Sequence, residues 1–396
     1  MRILTVCQYY SPEPFRVADL CEGLVHRGHR VTVVTGTPNY PEGEIYSGYE
    51  NSTRADEMVN GVRVHRCPIH PRKNGAFHRA WNYYSFLCSS RRYLAKLNEE
   101  FDVVFVYQLS PVIMAEGALA WAKKHRKPCV LYCLDLWPES LTFGGVRSGS
   151  LLYQYYLRVS RRIYQRADRI LLSSKGFSNY FQETLGIGAD KLSYLPQYAE
   201  NLFDNVPPVQ RHDPPYRFLF AGNIGSLQSM DTILEAAHML KDDRRIQFDI
   251  VGDGSDLTRC RKLSKGLQNL TFYGRRDVSE MSEFYTKADA TLVTLGDNPF
   301  LSYNLPGKVQ SYMAAGRAVI GALNGTTAEE IQVADCGMCV TAKNAAGLAE
   351  LIRWLVNHPQ EFLRYGENAR KYYQDMFTRN RFFSTLGQNL EEIRRA

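Results

Sequence analysis

The pattern of apolar and polar positions predicts that strands and helices alternate along most of the chain. In the first half, short apolar runs are separated by longer stretches with helical periodicity. The predicted strands are Ile3–Cys7, Val31–Thr35, Val62–Cys67, Val103–Tyr107, Val130–Cys133 and Ile170–Ser173, and the helices between them include Arg16–Arg27, Phe77–Glu99 and Pro111–His125. Strands joined through helices pair in parallel, so this order predicts a doubly wound sheet.

A second series of strands and helices begins after a stretch that contains prolines. Residues 197–215 carry two Pro-Pro pairs and no periodic pattern, which predicts a linker. The later series runs from the strand Arg217–Phe220 to the helix Glu361–Met376. With 396 residues, the chain is longer than one hydrophobic core usually serves. We therefore predict α/β domains at 1–196 and 216–376, and a helix within 377–396 that packs back on the first domain.

Composition limits the cellular compartments and the classes of binding partner that are expected. The nine cysteines are scattered and several lie in apolar strands, which indicates buried thiols in a reducing compartment. Cys336 and Cys339 have the spacing of a metal-binding pair, but no second pair accompanies them. Met1 leads directly into a strand and no run of 18 apolar residues occurs, so we expect a cytoplasmic protein. The net charge of +7 suits an anionic membrane or nucleic acid, but no nucleic-acid motif accompanies it.

Two segments carry candidate chemistry, one in each half of the chain. Asp135-Leu136-Trp137-Pro138-Glu139 follows an apolar strand, where open α/β sheets keep their ligand sites. Leu305-Pro306-Gly307-Lys308 leads into a predicted helix, and a lysine at a helix start suits a diphosphate. This arrangement predicts a cleft between two domains. Structural alternatives are a helix cap or buried acid for Asp135, core packing for Trp137 and a solvated loop lysine for Lys308.

Two glycine-bearing loops follow strands of the second half. Gly222-Asn223-Ile224-Gly225 and Gly252-Asp253-Gly254 would let the backbone approach a phosphate, although plain turns also explain them. Neither loop matches G-x-G-x-x-G, and no G-x-x-x-x-G-K-[ST] occurs in the chain. A dinucleotide-binding dehydrogenase and a P-loop NTPase are therefore not expected.

Together these segments resemble the retaining GT-B glycosyltransferases of family 4. The resemblance is to the bacterial subgroup that builds O-antigen, capsule and exopolysaccharide. The matching segments are Tyr9–Glu13, Arg27–Val33, Pro38–Gly43, Asp135–Glu139, Gly222–Gly225 with Gln228, Pro306–Lys308, Tyr312–Gly316 and Ala328-Glu329. The resemblance implies two Rossmann-like domains facing a cleft, with the acceptor on the first domain and a nucleotide-diphosphate sugar on the second.

The chain departs from the family pattern at two pairs of positions. The family carries two glutamates in an E-x7-E motif, and those slots here hold Tyr303 and Ser311. The family also carries an arginine and a lysine after the first strand of the second domain, and those slots hold Asn223 and Gln228. Ser311 can donate to a ribose hydroxyl, but it cannot accept the strong hydrogen bond that a carboxylate accepts.

The chemistry and the resemblance together select the candidate site residues. Asp135, Lys308 and Glu329 are the expected catalytic residues. The donor is expected to bind at Arg16, Gly222, Asn223, Gly225, Gln228, Gly252, Gly254, Arg275, Pro306, Gly307, Lys308, Ser311 and Glu329. No cofactor or metal is expected. The expected reaction is retaining, metal-independent transfer, with a UDP-sugar as the expected donor and a polyprenyl-diphosphate-linked glycan as acceptor.

A basic and aromatic stretch indicates that the protein binds its acceptor at a membrane surface. Residues 70–98 contain six lysines and arginines and no acid, interleaved with aromatic residues, and the arginines between Glu139 and Asp168 repeat this bias. Such faces suit an anionic lipid surface, so we expect peripheral association with the inner face of the cytoplasmic membrane. A solvated helix face remains the alternative. A GT-B sugar-nucleotide epimerase, a non-catalytic partner of another transferase and a transferase acting on nucleic acid also stay open.

Overall fold

The computed structural model describes residues 1–73, 75–210 and 212–395. Asn74 of the basic stretch, Arg211 of the predicted linker and Ala396 of the predicted C-terminal helix lie outside the described residues. The chain forms two compact units. The first comprises Met1–Ser173, Phe177–Leu195 and 383–395, and the second comprises Ser174–Gly176 and Pro196–Phe382.

The first unit is built on an eight-stranded sheet. Its strands are β1 Arg2–Val6, β2 Arg30–Gly36, β3 Asp56–Val59, β4 Val62–Cys67, β5 Val103–Gln108, β6 Cys129–Cys133, β7 Arg169–Leu172 and β8 Leu192–Tyr194. They lie in the order β3-β4-β2-β1-β5-β6-β7-β8, and all pairs are parallel except β3 with β4. The helices are α1 Val17–Val25, α2 Ala76–Lys96, α3 Glu116–His125, α4 Ser140–Phe143, α5 Leu151–Arg166 and α6 Phe177–Asn179.

The second unit is built on a fully parallel six-stranded sheet. Its strands are β9 Tyr216–Ala221, β10 Ile246–Val251, β11 Leu270–Gly274, β12 Ala290–Thr294, β13 Ala318–Ala322 and β14 Gly337–Val340, in the order β11-β10-β9-β12-β13-β14. Its helices are α7 Met230–Met239, α8 Leu257–Leu263, α9 Met281–Lys287, α10 Gly307–Ala314, α11 Thr326–Val333, α12 Ala345–Asn357 and α13 Gln360–Met376. The last helix is α14 Arg379–Arg395.

Both faces of the second sheet are covered by helices. Successive strand residues point to opposite faces, so Phe218 and Phe220 of β9 pack with α7 and α12, while Leu219 packs with α10 and α13. Because helices cover both faces of the sheet, the faces are not open to a ligand. In open α/β sheets, ligands bind at the carboxyl ends of the strands.

The predicted fold class is confirmed. Each strand predicted for the first half is present, with bounds that agree within one residue. Three short strands were not predicted: β3 pairs antiparallel at one edge of the first sheet, β8 lies at its other edge, and β14 lies at one edge of the second sheet. None of the three has a fully buried strand pattern, and their apolar runs are shorter than those that mark the central strands. Helix α5 was not predicted either, because its segment was identified only by its arginines.

Candidate functional site

Lys308 lies in the first turn of α10, and Tyr312 fixes where it points. The Tyr312 hydroxyl donates to the carbonyl of Ala221 at 3.1 Å and accepts from the Ala221 N–H at 3.0 Å. Residues four apart share a helix face, so Lys308 faces the end of β9. A β-carbon at Gly222 would stand 3.0 Å from Lys308 Nζ. The helix thus holds the lysine beside the glycine-bearing loop.

The Lys308 ammonium is buried and has no hydrogen-bond partner among the residues that the structure describes. Its Nζ lies 3.8 Å from the centroid of the Phe220 ring, which is a cation–π contact. Burial lowers the pKa of Lys308 from 10.5 to about 7. The alternative of a solvated loop lysine is therefore wrong. A buried ammonium without a counter-charge is costly, and an anion bound here would complete the site.

The start of α10 offers backbone donors next to this lysine. Pro306 precedes the helix, Gly307 is its first residue, and no side chain within the described part of the chain caps it. The N–H of Val309 donates to the carbonyl of Pro306 at 2.9 Å, whereas those of Gly307 and Lys308 have no partner inside the helix. Together with the positive end of the helix dipole, they favour an anion at this position.

The two glycine-bearing loops are locked against each other. Gly222, Gly252 and Gly254 have φ values of 141°, 143° and 157°. A β-carbon on Gly252 would lie 1.8 Å from the carbonyl oxygen of Gly222, and one on Gly254 would lie 2.4 Å from that of Ile224. The Ile224 N–H also donates to the carbonyl of Asp253 at 2.9 Å. Only glycine permits this approach, which keeps the Gly222 loop in place beside Lys308.

Asn223 and Gln228 form a neutral pair on the first of these loops. Asn223 Nδ2 donates to Gln228 Oε1 at 3.3 Å, and Gly225 lies against both side chains. These are the slots in which the family pattern has an arginine and a lysine. The pair therefore offers hydrogen-bonding groups to a ligand but no charge.

Ser311 is nearly buried and lies beside a carboxylate that the sequence analysis did not select. Its exposed fraction is 7%, and its Oγ lies 3.5 Å from Glu200 Oε2. Glu200 comes directly before the short 3-10 helix Asn201–Asn205. It belongs to the stretch that was predicted as a linker, where no pattern distinguishes one acid from another. The structure thus brings a carboxylate from another element to the slot where the family carries its second glutamate.

Glu329 and Arg275 are both exposed, and the acid next to Glu329 is not. Glu329 lies in the first turn of α11, while Arg275 follows the edge strand β11. Glu330 is buried and accepts hydrogen bonds from Lys175 Nζ at 2.7 Å and from the Tyr372 hydroxyl at 2.5 Å. Glu330 therefore has a structural role, and Glu329 is the acid of α11 that a ligand can reach.

Asp135 lies in the first unit, two residues after the end of β6. Its Oδ2 accepts the backbone N–H of Ser110 at 3.2 Å, and its own carbonyl accepts from Gln108 Nε2 at 3.1 Å. It does not cap α4, which is preceded by Glu139. Burial raises the pKa of Asp135, against the effect of the Ser110 hydrogen bonds and of the Arg72 charge. Asp135 is thus a shielded carboxyl at the carboxyl edge of the first sheet.

Trp137 and Arg16, also in the first unit, have different surroundings. Trp137 is 5% exposed and packs edge-on against Tyr156, so its ring belongs to the core. Arg16 precedes α1 and is half-buried, and its charge acts on Tyr107 at the end of β5. No cluster of three or more His, Cys, Asp or Glu side chains suited to a metal occurs among the described residues.

Comparison with protein families assigns both halves of the chain. A model described as a glycosyl transferase 4-like domain matches residues 15–197, and one described as glycosyl transferases group 1 matches residues 204–372. The chain belongs to glycosyltransferase family 4. It is 25% identical over the full length of both chains to the "Putative colanic acid biosynthesis glycosyl transferase WcaI" of Escherichia coli K12. It is 28% identical to the "Probable glycosyltransferase WbjE" of Pseudomonas aeruginosa over 49% of this chain and 50% of that one.

Solved structures share the fold at low sequence identity. A sucrose-phosphate synthase from Thermosynechococcus elongatus superposes with a TM-score of 0.77 over 99% of this chain and 98% of its own, at 16% identity. Anabaena HepE in complex with UDP gives a TM-score of 0.71 over 99% of this chain and 100% of its own, at 13% identity. These matches confirm the GT-B fold that the sequence motifs predicted.

Proposed function

We propose that this glycosyltransferase moves a sugar, with retention, from a UDP-sugar to a polyprenyl-diphosphate-linked glycan in surface polysaccharide biosynthesis. The observation that carries the proposal is the buried, unpaired ammonium of Lys308 beside Gly222 and the uncapped start of α10. A diphosphate supplies the negative charge that this site lacks. The name of the relative WcaI supports polysaccharide synthesis, and the UDP and UDP-glucose bound by HepE support a uridine donor.

The chemical step requires the negative charge on the leaving diphosphate to be stabilised. When the bond between the sugar carbon and the diphosphate oxygen breaks, negative charge grows on that oxygen and on the diphosphate. The Lys308 ammonium and the N–H groups of Gly307 and Lys308 are fixed donors for this charge, and such preorganised donors usually make the largest single contribution to catalysis. We propose that these groups suffice and that the reaction needs no metal ion.

The acidic candidates have roles at the sugar and the acceptor. Asp135 is a carboxyl with raised pKa at the edge of the first sheet, which suits it to align an acceptor hydroxyl. Glu329 is exposed in the second unit and is proposed to contact the donor sugar. Ser311 and the neighbouring Glu200 carboxylate are proposed to bind hydroxyls of the nucleotide.

Mass spectrometry of reaction products tests the proposed reaction. The purified protein is incubated with UDP- and GDP-sugars, with and without a membrane lipid extract. The expected result is a new glycolipid that requires both a UDP-sugar and the extract. Turnover of the sugar nucleotide without lipid would favour the epimerase, and nucleotide-sugar binding without turnover on any acceptor would favour a non-catalytic partner.

Two helices of the first unit support binding to a membrane surface. α2 and α5 contain no acidic residue. On α2, Phe77, Trp81 and Tyr84 are 69%, 54% and 42% exposed and lie on one helix face, and on α5 Leu151 is 90% exposed. The hydroxyls of Tyr84 and Tyr156 share a hydrogen bond of 2.7 Å, which joins the two helices. No helix in the described ranges is long and apolar enough to cross a bilayer. An apolar stripe among basic residues suits the interface of an anionic leaflet.

Vesicle co-sedimentation tests this surface. Lys73, Arg79, Arg91 and Arg92 are exposed, and each contributes roughly 1 kcal/mol near an anionic leaflet. We expect wild-type protein to pellet with anionic but not neutral vesicles, and a variant with these four residues changed to glutamate to stay in solution. Trp81→Ala should reduce the fraction that resists high salt. If wild type and the charge variant pellet equally, the basic face of α2 does not bind lipid and is only a solvated helix face.

A further inference from the structure

Arg72 is a half-buried arginine of the first unit that forms no ion pair within the part of the chain that the structure describes. Its guanidinium carbon lies 5.3 Å from the ring centroid of Tyr40 and 5.8 Å from that of Tyr83. It also interacts with the hydroxyl of Tyr9. Aromatic rings hold a guanidinium in place without neutralising it. These ring contacts therefore leave the charge of Arg72 able to bind a ligand.

The segments around Arg72 hold its backbone rigidly. The buried carboxylate of Glu13 accepts the N–H of Asn39 at 2.9 Å and that of Tyr40 at 2.8 Å. The side chain of Asn39 in turn accepts the N–H of Arg72 at 2.8 Å. A β-carbon at Gly43 would stand 2.8 Å from the carbonyl oxygen of Arg72. These contacts therefore fix the backbone of Arg72 and that of Tyr40, whose ring lies against its guanidinium.

The position of Arg72 connects two features of the first unit. Its positive charge acts on the carboxyl of Asp135, the candidate for aligning the acceptor. In sequence it comes shortly before α2, which begins at Ala76 and exposes Phe77 and Trp81. A ligand that is served by all three features has a hydroxyl, an anionic group and an apolar chain. That is the chemistry of a lipid-diphosphate-linked sugar.

We propose that Arg72 binds the diphosphate of the acceptor and makes the enzyme selective for acceptors with a charged linkage. This inference rests on the proposed transfer to a diphosphate-linked glycan. The planar guanidinium matches phosphate oxygens with two parallel hydrogen bonds, and lysine cannot reproduce this geometry. Arg72 acts in binding and not in the chemical step.

Two acceptors with the same terminal sugar test the proposal, one linked through farnesyl diphosphate and one a neutral octyl glycoside. Arg72→Gln is expected to lower kcat/KM for the diphosphate acceptor by roughly 10- to 150-fold, as for loss of a charge-assisted hydrogen bond. The octyl glycoside should lose far less, because only the effect of the Arg72 charge on Asp135, and no phosphate contact, applies to it. For the diphosphate acceptor, kcat/KM of Arg72→Lys should lie between those of wild type and Arg72→Gln. The matched control is Arg54→Gln, which removes an exposed arginine that also lies over a tyrosine ring.

Direct binding separates this inference from the proposed function. Farnesyl diphosphate and farnesol are titrated into wild type and Arg72→Gln, and the affinity for UDP is measured in parallel. Weaker binding of farnesyl diphosphate alone supports the proposal, even if no sugar is transferred. If kcat/KM falls equally for the diphosphate acceptor and the octyl glycoside, Arg72 only maintains the loop. If Arg72→Gln binds UDP more weakly, Arg72 belongs to the donor site. Either result, or unchanged binding of farnesyl diphosphate, would overturn the proposal.

Discussion

Replacing Lys308 by methionine should change stability and binding in opposite directions. The pKa of Lys308 falls from 10.5 to about 7 because its ammonium is buried. At about 1.4 kcal/mol for each tenfold change in an equilibrium constant, this corresponds to roughly 4–5 kcal/mol against the charged form. The contact with Phe220 returns about 1–2 kcal/mol. Lys308→Met keeps the apolar stem and removes the charge, so the free energy of unfolding of the ligand-free protein should rise by about 2–4 kcal/mol at pH 7.

The dependence on pH gives this gain a distinctive form. The unfolded chain holds the Lys308 proton up to its ordinary pKa of 10.5, while the folded chain releases it near pH 7. The cost of the lysine is therefore complete below pH 7 and disappears as the pH rises toward 10.5. Denaturant unfolding of wild type and Lys308→Met should show the largest difference at pH 6 and a smaller one at pH 9. The exposed Lys371 provides a control, and Lys371→Met should leave stability nearly unchanged.

The same variant should lose affinity for the nucleotide. A charge-assisted hydrogen bond to a phosphate contributes about 1.5–3 kcal/mol, so Kd for UDP should increase roughly 10- to 150-fold in titration calorimetry. Uridine, which has no phosphate, should bind both proteins equally. If Lys308→Met binds UDP as well as wild type does, or unfolds more easily at pH 6, the assignment of Lys308 to a diphosphate is wrong.

Further predictions concern the surroundings of this site and the first unit. UDP binding should take up about half a proton at pH 7 and nearly one at pH 8, since the bound diphosphate restores the charge of Lys308; uptake that does not increase with pH would contradict this. Gly222→Ala should also weaken UDP binding, because its β-carbon would lie 3.0 Å from Lys308 Nζ, whereas Gly387→Ala, at a glycine with open space around it, should not. Glu200→Gln should raise Kd for UDP about 3- to 30-fold but leave that of 2′,3′-dideoxy-UDP unchanged, and equal effects on both ligands would exclude a contact with the ribose. Asp135→Asn should lower kcat at least tenfold with a melting temperature within about 2 °C, because asparagine can still accept the Ser110 N–H; a large fall in melting temperature would make Asp135 structural.

The central strands and the fold class could be predicted because their chemistry is local. Strands such as β5 are buried on both faces and therefore form continuous apolar runs. The Lys308 motif could be found for the same reason, since a lysine, a glycine and a helix start are adjacent in sequence. The burial of its ammonium could not be predicted, because it depends on contacts with Phe220 and Gly222, which lie on another element.

Glu200 and Arg72 show where pattern reasoning was insufficient. Glu200 lies in a stretch that resembles a linker, and its meeting with Ser311 is a contact between residues 111 positions apart. Arg72 was counted among the charges of a basic face, although three tyrosines surround its guanidinium. In both cases the sequence shows the residue but not its neighbours, and the neighbours determine what the charge can do.

Nuclear magnetic resonance of a reaction with donor labelled by ¹³C at the sugar C1 tests the central claim most directly. In a UDP-sugar this carbon is coupled to phosphorus, and after transfer to a hydroxyl the coupling is lost. The account predicts a new C1 signal without phosphorus coupling, of the same anomeric configuration, formed only when the lipid-diphosphate acceptor is present and greatly reduced in Lys308→Met. A shifted signal that keeps its phosphorus coupling, or one that forms without acceptor, would contradict it.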